Sequence, residues 1–324
     1  MLLRLAAGVL TLALMIPASA QAQGADSYPS RPVRLLVGAA PGGNPDVLGR
    51  MLADKLTAAL GKPFIVENVP GAGGQVGAEI LAKQAPDGHT LMLGDSGAMA
   101  IIPALNPRVG YNVPKDFTLV TALAAVPTVL VVHPSVPAGL QDFIAAAKAQ
   151  PGKWSHGSAG NGSIHHLTWA SFAGRTGIEL VHVPYRGGSA MVAALMSGEI
   201  QAGWSGIPNV LQQIEAGSLK VIAISTAQRS RSLPNVPTAI ELGLADFDIA
   251  TVIGMQGPAG MSTAIVQRLQ AAAARAMREP DFAERMERLA MVMRENGTAD
   301  YERHIAADLK RYADAIKLAG VKNE

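Results

Sequence analysis

The sequence predicts an α/β protein built as two lobes. Short apolar runs alternate with amphipathic stretches along most of the chain, as in parallel sheets covered by helices. Two glycine-rich loops, residues 38–46 and 158–163, each lie between an early strand and its helix. A length of 324 residues suits two domains better than one.

Residues 33–37 are apolar save Arg34 and are bounded by Pro32 and Gly38, which reads as a buried strand. The helix after the first loop starts near Asp46. Val47, Met51, Leu52, Leu56 and Leu60 form one stripe, and Gly61 ends it. Residues 64–67 are a second strand, 76–83 a helix and 90–94 a third strand. Strands at 119–125 and 128–133 follow, divided by Pro127. The second half repeats the scheme: helix 140–149, strand 154–158, helix 164–173, strand 179–184, helix 190–197, strand 200–204, helix 210–216 and strand 221–225. The end is helical, with apolar faces at Ile265, Leu269, Ala272 and Ala276 and at Tyr301, Ile305, Leu309, Tyr312 and Ile316. No strand is expected between those two helices, which should pack back on the first lobe.

Residues 1–22 read as a secretory signal peptide: Arg4, an apolar stretch from Leu5 to Ile16, Pro17, then small residues with cleavage near Ala20 or Ala22. The stretch is too short to span a bilayer, and no later run reaches that length. The chain has 0 Cys, which excludes disulfides, thiolate chemistry and a lipid-modified cysteine. Removing residues 1–22 takes away Arg4 alone, leaving 26 basic against 25 acidic side chains, formally +1. With no basic run and 4% aromatic residues, nucleic acid is not an expected partner.

Each glycine loop should present unpaired backbone N–H groups at a helix start, where the dipole favours an anion. Tight turns required only by the fold are the alternative. The run from Gly71 to Gly77 fails the dinucleotide pattern, which needs Gly where Val76 stands. A hydrolase reading also fails, because the segments around Ser96, Ser158 and Ser205 each miss one glycine of the nucleophile elbow. His156, His165, His166 and His182 lie close in sequence without a neighbouring carboxylate, so packing and hydrogen bonding are expected rather than a metal. Asp46 is expected to cap its helix, with ligand contact as the alternative.

Further segments carry a resemblance. They are Tyr28 to Arg34, Ala40-Pro41-Gly42-Gly43 with Asp46, Glu67 to Gly74, Pro86 to Leu91, Gly157 to Ser163 with His166-Leu167, His182 to Gly187, Leu233 to Thr238 and Gly257 to Gly260. In this order they resemble the Bug family, the substrate-binding proteins of tripartite tricarboxylate transporters, over nearly the whole chain after residue 22. The resemblance implies a periplasmic binding protein of the type II kind. Each lobe is then a mixed, mostly parallel sheet flanked by helices, closing on an organic acid or similar metabolite for membrane transporter components. Lobe 1 would be residues 23–122 plus 247–324, and lobe 2 residues 123–246, with crossovers near 120–125 and 243–250. No catalysis, cofactor or metal is implied, and a monomer is expected. A sensor module presenting ligand to a receptor is the alternative role, and an exported hydrolase the runner-up.

The resemblance also implies that loop amides and ordered water hold the ligand carboxylate. The candidate binding set is Ala39, Ala40, Gly42, Gly43, Asp46 and Ser96 from lobe 1. Lobe 2 supplies Ser158, Gly160, Asn161, Gly162, Ser163, Tyr185, Trp204 and Ser205. The chain departs from the family pattern at Gly38-Ala39, His89, Ala190, Gln201, Trp204 and Ser205. Trp204 and its neighbours are expected at a cleft-facing strand end, where an aromatic would suit a less cationic or more apolar ligand.

Overall fold

The computed structural model describes residues 28–321. The proposed signal peptide, with its cleavage sites at Ala20 and Ala22, lies outside the described residues. No described helix is long and apolar enough to cross a membrane.

The chain opens β1 (Val33–Val37), α1 (Asn44–Leu60), β2 (Phe64–Asn68), α2 (Gln75–Leu81) and β3 (Thr90–Asp95). β1 pairs in parallel with both β2 and β3. After β3 come a π-turn at 97–101 and the short helices α3 (Ile102–Leu105) and α4 (Val113–Asp116). The long strand β4 (Phe117–Val132) then carries the chain into the second lobe. There follow α5 (Leu140–Ala149), β5 (Ser155–Ser158), α6 (Ile164–Thr176), β6 (Val181–Pro184), α7 (Gly188–Ser197), β7 (Ala202–Gly206), α8 (Ile207–Glu215) and β8 (Lys220–Ile224). β5 pairs in parallel with β6 and β7. β9 (Ala250–Pro258) returns, followed by α9 (Thr263–Met277), α10 (Pro280–Arg288), β10 (Val292–Asn296) and α11 (Thr298–Ala319).

The architecture is two-lobed α/β. Each lobe has a parallel triplet, β1–β3 or β5–β7, joined by antiparallel pairings to the crossing strands. β4 does not break at Pro127 as its composition suggests. Residues 117–127 pair with β9, and 128–132 pair with β7 and β8. Proline fits where the strand changes partners because it has no N–H to place in a ladder. Ser225 fastens the changeover: its Oγ accepts from the Thr128 N–H at 3.1 Å and reaches the carbonyl of Ile249 on the returning crossover.

Four apolar clusters cover the two faces of each sheet. In lobe 1, Leu35, Val37, Leu52, Leu56 and Leu269 fill one face, while Leu36, Met92, Tyr111 and Tyr301 fill the other. In lobe 2, Phe143, Trp169, Phe172 and Trp204 oppose Met191, Leu195, Ile207 and Val210. A fifth cluster joins Leu167 of α6 to Ala100, Ile101, Tyr312, Ala315 and Ile316. The C-terminal half of α11 therefore packs on α6 of the second lobe, not on the first lobe alone as its sequence position suggests. β9, α10 and β10 were not expected. The crossover expected near 243–250 reaches only the first residue of β9, and β10 is a short edge strand resting on β4.

Candidate functional site

In each lobe the parallel strands deliver loops and helix starts to one end of the sheet, where α/β folds place ligands. In lobe 1, Gly43 is the N-cap of α1 and Gly42 turns with φ +84°, a conformation open to glycine. Asp46 is not the cap. It sits inside the first turn, 3% exposed, and its Oδ2 accepts from the Gly42 N–H at 2.8 Å. Asn68 donates to its Oδ1 at 2.8 Å and to the carbonyl of Ala39, and Arg50 pairs with it at 2.9 Å. Burial opposes ionisation of Asp46, but the bonds from Arg50, Gly42 and Asn68 outweigh it and hold its pKa below the usual carboxylate range. The Gly43 N–H closes the turn on Ala40. Among the described residues the N–H groups of Ala39 and Ala40 have no partner. Asp46 is thus a brace for the loop, fully occupied by the protein itself.

Lobe 2 builds its loop differently. Ser163 caps α6, accepting from the His166 N–H at 3.4 Å. The Gly160 N–H is held by Ser158 Oγ at 3.1 Å, the Gly162 N–H by His166 Nδ1 at 3.2 Å, and the Ser163 N–H by the Gly160 carbonyl. The N–H groups of Ala159 and Asn161 are left without protein partners among the described residues. Both loops thus spend part of their amides on self-bracing and keep a pair open.

Both loops come close to the segment that follows β3: a Cβ on Gly74 would lie 3.5 Å from the Gly38 carbonyl oxygen and 3.1 Å from Ala98, and one on Gly162 would lie 2.7 Å from Leu105 of α3. Asp95, partly exposed at the end of β3, accepts from Gly97 and Ala98, and burial pushes its pKa up. Opposite, α6, α7 and α8 begin side by side. A Cβ on Gly188 would lie 3.2 Å from Asn209 and 3.9 Å from His165. His165 Nδ1 is buried without a partner, and burial pushes its pKa down to about 4. Asp95, His165 and Asn209 lie beside these loops and helix starts and are not in the candidate set read from the sequence. The only signal was their place at strand ends and first helical turns.

Four other candidates lie elsewhere. Ser96 is buried, donates to Asp308 of α11 at 3.2 Å and accepts from the Val252 N–H. Tyr185 borders the loop through its backbone, its N–H bonding the Ser158 carbonyl, but its hydroxyl donates to Glu199 at 2.8 Å. Burial and that carboxylate push the Tyr185 pKa up to about 12. Trp204 is 0% exposed, packed edge-on to Phe172 and tilted against Phe247. Ser205 is equally buried on the opposite sheet face. The physical reason is register: β7 starts at Ala202, so its cleft-facing end is Gly206. Gln201 is at the far end, bonded to Ser155 and Gly198. His89 is buried against Tyr28 with Nε2 near Ser30. No group of metal-binding side chains occurs among the described residues.

A cavity of about 840 Å³ lies instead beside the crossovers, bounded by Ala125, Ser230, Asp248, Met286, Met291 and Arg294. It includes none of the candidate residues.

Residues 48–321 match the family model described as the tripartite tricarboxylate transporter family receptor. The chain belongs to this family. Protein BugT of Bordetella pertussis is 38% identical over 244 residues, covering 75% of each chain. A protein from R. palustris solved with adipate shares 30% identity, covers 91% of this chain and 99% of its own, and superposes with a TM-score of 0.79. MatC from the same organism, with bound malate, shares 29% identity, covers 89% and 100%, and has a TM-score of 0.75. Family receptors and these neighbours are solute-binding proteins, and the chain is a solute receptor rather than an enzyme. No position in it completes a nucleophile elbow, in keeping with that class.

Proposed function

We propose that the chain captures a small carboxylate-bearing metabolite between loops 39–43 and 158–163 and hands it to the membrane components of a tripartite transporter. One observation carries this reading. Each lobe keeps a pair of amides without protein partners beside a helix start, Ala39 and Ala40 in one and Ala159 and Asn161 in the other. Charge-assisted bonds of this kind contribute roughly 1.5–3 kcal/mol each, so a few of them, less ordering costs, support micromolar binding. The relatives solved with adipate and malate hold dicarboxylates, which favours that class here. Lobe 1 runs to residue 127 and resumes at 250, and lobe 2 takes the residues between, because 123–127 pair with β9 while Phe247 and Ile249 pack in the lobe-2 core. The bending point lies at 127–128 and 248–250, where β4 changes partners and the returning strand begins. Export on a signal peptide to the periplasm and a monomeric state complete the proposal.

A thermal-shift screen followed by calorimetry tests it. Mono-, di- and tricarboxylates, neutral sugars and divalent metals are compared at neutral pH. Dicarboxylates should raise the melting temperature, since ligand at 100 times its Kd stabilises by about 2.7 kcal/mol. A response to sugars or metals alone rejects the carboxylate site.

A further inference from the structure

Four aromatic rings are stacked beneath the lobe-2 loop. Trp169 lies on His156 at 4.2 Å, His156 on His182 at 4.9 Å, and His182 on His166 at 3.8 Å, with interplanar angles of 9°, 21° and 14°. Two of the rings grip the loop above them. His166 Nδ1 accepts the Gly162 N–H at 3.2 Å, and His182 Nε2 lies 2.8 Å from Ser158 Oγ, which in turn holds the Gly160 N–H. The amides so bound alternate with the open ones at Ala159 and Asn161.

We propose that His166, backed by the stacked ring of His182, is a positioning residue of the carboxylate site, holding the Gly162 amide on its unprotonated Nδ1 so that the neighbouring amides stay open for ligand. This rests on the carboxylate reading given above. The hydrogen-bond direction decides the protonation state: an amide N–H can be accepted only by a bare ring nitrogen. A proton on Nδ1 would set two donors face to face and put a cation against its stacked neighbour. Burial and His182 push the His166 pKa down to about 4; burial likewise lowers His182, and burial with both other histidines takes His156 down to about 2. The charged groups these rings feel are one another, from β5, β6 and α6. No carboxylate, lysine or arginine contributes among the described residues. The site therefore carries a built-in acid release, separate from protonation of the ligand.

The test uses the whole protein with adipate and malate as probes. His166→Ala should weaken binding roughly 5- to 100-fold at pH 7.5, the loss expected when a buried donor is left unpaired. His166→Asn, whose amide oxygen replaces Nδ1 without titrating, should bind within roughly threefold of wild type. Between pH 7.5 and pH 4 the wild type should lose more affinity than His166→Asn, since ligand protonation is common to both. Without ligand, the Gly162 amide signal in an NMR titration should follow the His166 ring. Wild-type binding by His166→Ala overturns the proposal, as does an equal acid loss in His166→Asn or a Gly162 signal blind to the ring. If neither dicarboxylate binds the wild type while Gly162 tracks His166, the dicarboxylate preference has failed and the His166–Gly162 contact stands.

Discussion

Asp46 and Trp204 show how much a single side chain's surroundings decide. Asp46 stands where helix-start preferences favour a cap, yet its carboxylate accepts from Gly42, Asn68 and Arg50 and braces the loop instead. Asp46→Ala should destabilise the fold by about 1–3 kcal/mol, because it leaves the Gly42 and Asn68 donors without their acceptor while the exposed Arg50 returns to solvent. The same change should weaken dicarboxylate binding by slackening the loop. Urea denaturation and calorimetry measure the two effects. Trp204 is expected at the end of a strand over 200–204; β7 runs on to Gly206, so Trp204 stands at its middle with its ring in the core. The sequence hides this because Ala202 to Gly206 is apolar or small on both faces. The histidines add a pH dependence. Their folded pKa values lie below the unfolded 6.5, at about 4 for His165 and His166. The unfolded chain thus binds more protons between those limits. Stability is fully present above about pH 6.5 and should fall as pH drops towards 4. Denaturant midpoints measured across that interval check the sign.

At the scale of elements, the parallel strands and their covering helices were legible because apolar runs, glycine loops and helical stripes mark them directly. β9 was not, although it is the central strand of the lobe-1 sheet between β3 and β4. Its glycines, Gly254 and Gly257, weaken the strand signal, while each makes room for a neighbour. A Cβ at Gly254 would meet the Tyr301 ring at 2.3 Å, and Tyr301 is wholly buried. Gly254→Ala should therefore cost about 1–3 kcal/mol through overpacking, read as a lower urea midpoint at unchanged slope. Tyr301→Ala would leave a cavity instead, so the double variant should recover part of the Gly254→Ala loss.

Across the whole molecule, α11 is the element that couples the lobes. Its first turns pack on the lobe-1 sheet through Tyr301 and Ile305, and its last turns meet α6 through Tyr312, Ala315 and Ile316. α6 begins at loop 158–163, so this contact bears on the distance between the two open amide pairs. Leu167→Asp places a charge in that cluster, where Leu167 is 1% exposed. It should part the lobes, seen as a larger radius of gyration by X-ray scattering, and lower dicarboxylate affinity. The sequence by itself determined the α/β class, the pair of glycine loops at strand–helix junctions and the family, because these depend on local chain geometry and short motifs. Only the tertiary structure decided which loop amides remain open, which side chains brace them and how α11 ties the lobes. Hydrogen-bond partners and buried faces are set by contacts between residues distant in the chain, which no local pattern records.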